Sequence, residues 1–153
     1  MLNPAQQQRR DWMAVLAQAP RERLMQLAAP WRAGRNFETL RAPECGLVML
    51  RGRAGGSGER FNLGEATLSR CVVRLASAQG QTLGVGYRLG RDEARVRCMA
   101  ELDALLQQAD TQAELLATLI EPLRAEIARA REAEQQRHAA SRVRFFTLAA
   151  ENE

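Results

Sequence analysis

Apolar residues change their spacing twice along this chain, and the changes divide it into three stretches. Over residues 5–17, Trp12, Val15 and Leu16 recur at i, i+3, i+4 spacing and predict an amphipathic helix. Pro20 breaks that helix or begins the next one, where Leu24, Leu27 and Trp31 form a second stripe before Pro30 ends regular pairing. The period then shortens to two. Residues 45–51 and 66–75 read as strands, and residues 82–89 alternate cleanly. In the last of these, Leu83, Val85, Tyr87 and Leu89 fall on one side, with Thr82, Gly84, Gly86 and Arg88 on the other. Residues 77–81, with Gly80, suit a hairpin loop. If Cys71, Val73 and Leu75 share the apolar face, Arg70 and Arg74 point away from it. The hairpin register then places Arg88 beside them as a cationic stripe.

Beyond residue 92 the pattern is helical again. Val96, Met99, Leu102 and Leu105 or Leu106 recur at helical spacing, and Thr111-x-x-Glu114 reads as a capping box opening a further helix. Leu115, Leu116, Leu119, Ile120, Leu123 and Ile127 make the face of that helix, and Pro122 should kink or divide it. After Ile127 the stripe fades into Ala, Glu, Arg and Gln. A helix without an apolar face extends from the body to be held by a partner, or it frays in solvent. Val143, Phe145 and Phe146 follow, and two burial sites are open to them: this domain or another subunit. The fold expected is α+β in one domain over residues 1–153. It has N-terminal helices, a small antiparallel sheet with a hairpin, C-terminal helices, and a helical arm and tail.

Composition narrows the chemistry. All 22 basic residues are arginine, which excludes a P-loop lysine, a Schiff-base lysine and a lysine general base from this chain. Genome composition is the plain cause of such a bias. A net charge of +4 is compatible with acidic partners but too diffuse to imply nucleic acid, and the few aromatics do not interleave with the arginines. No apolar run is long enough to span a membrane, and the polar N-terminus lacks a secretory pattern, so the cytoplasm is the expected location. Cys45, Cys71 and Cys98 lie far apart with no C-x-x-C pair; they read as small apolar residues, and no metal is expected. His138 is the single histidine and sits among Gln135, Gln136 and Arg137 in a polar tail, which leaves a self-contained Ser–His–Asp or Cys–His enzyme without a usable imidazole.

The most informative stretch is residues 51–75, where glycines and arginines share a short segment between strands. Guanidinium binds phosphate-rich anions bidentately, and glycine lets main-chain N–H groups approach them. Arg51, Arg53, Gly55, Gly56, Ser57 and Gly58 are the candidates for such a contact. A nucleotide loop of the Rossmann or Walker type does not fit, because another strand follows the glycines and no G-K-[ST] is present. The competing reading is a tight connection whose arginines pair with Glu59 and Glu65 or with a partner's acids. Glu59, Glu65 and Asp92 are the nearest candidates for a general base, and nothing in the sequence buries any of them, so no catalytic residue is assigned.

Five motifs in order resemble one family. Residues 10–17, with Trp12, Met13, Val15 and Leu16, are similar to an Arg-x-x-Trp-Met-x-Val-Leu opening. Residues 41–48, with Arg41, Glu44, Gly46, Leu47 and Val48, resemble an Arg-x-x-Glu-x-Gly-Leu-Val strand. The Gly/Arg block follows, then Gly90-Arg91-Asp92, which resembles a Gly-Arg-Asp helix opening. Ser141, Arg142, Val143, Phe145, Phe146 and Thr147 resemble a Ser/Thr-Arg-Val-Asp-Phe-Phe-Thr ending, departing from it at Arg144. The family is the PhnG subunit of the bacterial carbon–phosphorus lyase core complex. The resemblance implies an accessory subunit that assembles with a nucleosidase-like catalytic subunit, other core subunits and an ATP-binding-cassette-type protein. It implies no cofactor in this chain, ATP as a substrate of the assembly, and Arg142, Phe145 and Phe146 as interface candidates. The implied reaction joins an alkylphosphonate to the ribose of ATP and releases adenine, giving a ribose 1-phosphonate 5-triphosphate. A basic phosphate-ligand protein or a nucleic-acid-binding module is the alternative.

Overall fold

The structure, a computed structural model, describes residues 3–77 and 80–140. Helix α1 (Pro4–Gln18) starts at a reciprocal cap: the Asn3 side chain accepts from the Gln6 N–H at 2.8 Å, and the Gln6 side chain accepts from the Asn3 N–H at 3.0 Å. Helix α2 (Arg21–Arg32) runs through Pro30 instead of stopping there. The proline falls in the last turn on the exposed side, so it removes one hydrogen bond that the final residues do without. Strands β1 (Phe37–Arg53), β2 (Arg60–Ser77) and β3 (Gly80–Leu89) form an antiparallel sheet in the order β1-β2-β3. Helices α3 (Glu93–Leu106), α4 (Ala109–Leu115) and α5 (Glu121–Ala140) follow, which makes the architecture α+β.

Two further helix boundaries differ from expectation. Helix α4 opens at Gln108, not at a Thr111 capping box. Thr111 lies within the helix, and its hydroxyl donates to the Leu105 carbonyl at 2.6 Å, closing the end of α3. Between α4 and α5 the backbone widens into a π-turn over Leu116–Ile120. Pro122 lacks an N–H for the Thr118 carbonyl and crowds it, so the division expected at the proline takes the form of this bulge. From Ala128 to Ala139 every residue of α5 is exposed.

Helix α3 is the centre of the molecule. One side lies on β2 and β3, and α1 and α2 pack over the other, so every residue from Arg95 to Leu106 except Arg97 is buried. Trp12, Leu16, Leu24, Cys71, Val73, Met99, Leu102, Leu105 and Leu119 fill the core between these layers. The ordering of layers reverses the facing expected for β3. Register pairs Cys71 with Gly86 and Val73 with Gly84, so the glycines share the covered face. A Cβ at Gly84 would stand 1.9 Å from the Ala100 carbonyl oxygen, and one at Gly86 2.0 Å from that of Val96. Helix backbone therefore lies directly on strand backbone, and only glycine fits. Leu83, Tyr87 and Leu89 are driven to the open face, where each is about half exposed.

The same register corrects the cationic stripe. Arg88 pairs with Ser69 on the covered face, while Arg70 pairs with Tyr87 and Arg74 with Leu83 on the open face. Arg70 and Arg74 engage carboxylates of β1: Arg70 meets Glu44 at 2.6 Å, with Arg41 on the same oxygen at 2.9 Å, and Arg74 grips Glu38 at 2.5 Å. These guanidiniums hold the Glu44 carboxyl below its ordinary pKa, through the hydrogen bonds from Arg41 and then Arg70.

Gly84→Ala is expected to cost about 3 kcal/mol, because backbone must move to admit the methyl group. Gly46→Ala has open space around the new Cβ and is expected to change stability by no more than about 1 kcal/mol. Urea unfolding of both variants checks the contrast, and equal midpoints would refute the close approach.

Candidate functional site

Strand β3 pairs with β2 only as far as Leu68, so β1 and β2 continue past it as a two-stranded ribbon. The ribbon ends in a tight turn, Ala54–Gly56, in which Gly55 and Gly56 take φ of 57° and 82°. All six ligand-contact candidates meet here. The Gly58 N–H donates to the Ala54 carbonyl at 2.8 Å, and a Cβ on Gly58 would meet that oxygen at 2.6 Å. Arg53 Nη1 donates to the Gly58 carbonyl at 3.1 Å. The glycines thus serve a self-closed turn, whose amide at Gly58 is consumed internally. Ser57 and the side chains of Arg51 and Arg53 are exposed, and among the described residues neither arginine pairs with Glu59 or Glu65.

A register shift between Leu50 and Arg51 skips Leu63 and places Gly64 at φ 148°, a bulge that twists the ribbon. On one face, Gly46, Val48, Leu50 and Gly52 oppose Leu68, Ala66, Gly64 and Phe61. Leu63 joins this face, its Cδ1 lying 2.9 Å from the Cβ position of Gly52. On the other face, Leu47, Met49, Arg51 and Arg53 oppose Thr67, Glu65, Asn62 and Arg60. Phe61 is 47% exposed, and Leu63 62%. The interface candidates Arg142, Phe145 and Phe146, and the departing Arg144, lie outside the described residues.

The third acid, Asp92, has a structural post. It caps α3 by accepting from the Arg95 N–H at 3.1 Å and pairs with Arg21 at 3.0 Å. Ser69 closes the approach, its hydroxyl donating to the Gly90 carbonyl at 2.6 Å and accepting from the Asp92 N–H at 3.0 Å. Gly90 takes φ 100°, which explains a glycine at the head of the Gly-Arg-Asp motif.

Sequence reading missed the three charged residues buried on α3. Asp103, wholly buried, accepts from Arg9 Nε at 3.1 Å and Nη2 at 2.6 Å, from Trp12 Nε1 at 2.9 Å, from the Val85 N–H at 2.9 Å and from Gln107 at 3.3 Å. Glu101 is held between Arg32 and Arg97. Arg95 donates to the carbonyls of Leu16, Ala17 and Ala19 at 3.3, 3.0 and 2.5 Å, meeting the negative end of α1, and burial lowers its pKa. The stripe of Val96, Met99, Leu102 and Leu106 marks one side of α3 only and gives no signal for Glu101 on the opposite side. Asp103 draws donors from α1 and β3, Glu101 draws Arg32 from α2, and Arg95 reaches the end of α1 through Nη2 while its buried Nε has no hydrogen-bond partner among the described residues, so the three tie α1, α2, α3 and β3 together. Among the described residues no group of three or more His, Cys, Asp or Glu is placed to hold a metal, and no helix is long and apolar enough to cross a membrane.

The sequence model of the family described as phosphonate metabolism protein PhnG matches residues 7–150. The chain belongs to that family. It is 43% identical over 148 residues to a protein of Rhizobium meliloti (strain 1021) named alpha-D-ribose 1-methylphosphonate 5-triphosphate synthase subunit PhnG, covering 92% of this chain and 88% of that one. The match takes in the buried Trp12 and Leu16 of α1, the ribbon and the Asp92 cap alike.

Asp103→Asn should destabilise the fold by about 3 kcal/mol, since an amide NH₂ would confront donors that now share a carboxylate. Chemical denaturation measures it, and a loss under 1 kcal/mol would show the network to be dispensable. A second test uses pH. Burial pushes the Cys98 thiol up to about 11 from 9.0, so in alkaline solution the unfolded chain releases a proton that the fold retains. Stability from this source is complete below about pH 9 and lost as pH rises toward 11. The melting temperature of Cys98→Ala should therefore fall less steeply over that range than that of the parent chain.

Proposed function

We propose that this chain is an accessory subunit of a cytoplasmic, multi-subunit synthase acting on an alkylphosphonate and ATP. In that reaction a phosphonate oxygen takes the place of adenine on C1 of the ribose, adenine departs, and the triphosphate is carried through unchanged. The match across residues 7–150, together with the name of the 43% identical relative, carries this reading. Bond making is assigned to a nucleosidase-like partner, and this chain contributes to assembly alongside the other core subunits and an ATP-binding-cassette-type protein. Its surface supports that division. Leu47, Leu63, Leu83 and Leu89 are each more than half exposed, an apolar display suited to burial in a complex. The buried acids, by contrast, are each saturated by arginines, indole or backbone donors.

The purified chain alone is expected to give no product from ATP and methylphosphonate, whereas the reconstituted set of subunits does. Omitting this chain from the reconstitution should abolish product. Turnover by the isolated chain, surviving removal of contaminating subunits, would overturn the assignment.

A further inference from the structure

The ribbon carries two liabilities at one end. Leu50, Phe61 and Leu63 face water from one side, and two strands alone have no layer to cover them. On the other side Arg53 stands directly opposite Arg60, with Arg51 one pair away opposite Asn62. Like charges in a cross-strand pair destabilise a sheet unless something anionic is set against them. Among the described residues, Arg51 and Arg60 form no ion pair. A ribbon with one apolar face and one cationic face has the surface of an element that inserts between partner walls.

We propose that the ribbon tip plugs a cleft in another subunit of the synthase, one wall apolar against Leu50, Phe61 and Leu63, the other lined with carboxylates against Arg51, Arg53 and Arg60. This rests on the subunit reading above and adds to it the docking element and the chemistry of its receptor. A second copy of this chain fits less well. Of the carboxylates on its sheet, Glu38 and Glu44 are already held by Arg74, Arg70 and Arg41 and Glu65 stands on the arginine face itself, so a tip-to-tip contact would gather guanidiniums of both copies against a single acid from each. A free phosphate also fits less well, because the tip is exposed and its turn amide at Gly58 is spent on Ala54.

The test is co-purification of the full chain with tagged partner subunits of the synthase. Two double variants are compared with the parent: Phe61→Ser with Leu63→Ser, and Arg53→Glu with Arg60→Glu. Both pairs are solvent-exposed, so each isolated variant should melt with the parent chain. Each should lose affinity for the partners by about tenfold or more. Arg53→Lys with Arg60→Lys should retain much of the binding, since a carboxylate wall needs charge more than a planar fork. Normal assembly by both double variants would overturn the proposal while leaving the subunit reading intact. Failure of the parent chain itself to co-purify would remove both. Normal assembly but lower product formation with the charge-reversed pair would place those arginines on substrate phosphate and refute the acidic wall. A dimer of the parent chain, lost in the serine variant, would assign the apolar face to a second copy instead.

Discussion

The approach of α3 onto β3 governs most of what this molecule can do. Two glycines let the helix backbone sit where side chains would normally hold it away, and Asp103 fastens the contact by accepting the Val85 N–H of the edge strand. Gln107, just past the end of α3, donates from Nε2 to the Leu83 carbonyl at 2.9 Å, so β3 has both kinds of edge group engaged there by side chains of α3 and its cap. An edge sealed in this way is a poor template for another strand. The same carboxylate draws Arg9 and Trp12 of α1 onto the other side of α3. One buried charge thereby holds three elements in register, at a desolvation cost that its five hydrogen bonds offset.

That arrangement leaves the sheet lopsided. Helices cover one face only, and the glycine requirement sends Leu83, Tyr87 and Leu89 to the other, where they continue the apolar side of the ribbon through the Leu68–Leu89 pair. The buried acids Glu101 and Asp103 have their partners within the chain, while the open sheet face and the ribbon carry exposed apolar and cationic groups that do not. A chain so built suits a role in which neighbours complete its surface, which agrees with its family and with a relative named as a subunit. The ion pairs of Arg70 and Arg74 with β1 keep the middle of that face polar, and the apolar residues lie toward its ends.

The helices were legible because burial on one side imposes a period that survives any tertiary detail; Trp12, Leu16, Leu24, Met99 and Leu119 are core as their spacing predicted. The strands were found but read short, since the ribbon has no single buried face to enforce alternation. Facing failed at β3 for a definite reason. Apolar alternation marks the core face only when side chains fill the gap, and here helix backbone fills it, so the glycines were the true signal. The candidate site was legible as a segment, with all six residues at one tip, but its glycines answer to the turn first. The buried Arg95, Glu101 and Asp103 escaped notice because a helical pattern does not say that a helix is covered all round.

An all-arginine basic set is easily put down to composition, yet the structure uses the guanidinium fork in a way that lysine would not reproduce. Arg9 reaches both oxygens of Asp103 with two different nitrogens while remaining partly in solvent, so the carboxylate is neutralised without a second buried cation. Arg95 differs: its three carbonyl contacts at the end of α1 all come from Nη2, and among the described residues its buried Nε has no hydrogen-bond partner, so charge at the end of a helix, not the fork, is what this site uses. At Arg9 geometry, not charge alone, selects the residue. At the ribbon tip the reverse holds: Arg51 and Arg60 have no bidentate partner within the described chain, and what they offer a neighbour is concentrated positive charge beside an apolar face. The distinction separates arginines that hold the fold from arginines held out to a partner, and it follows from where each fork ends.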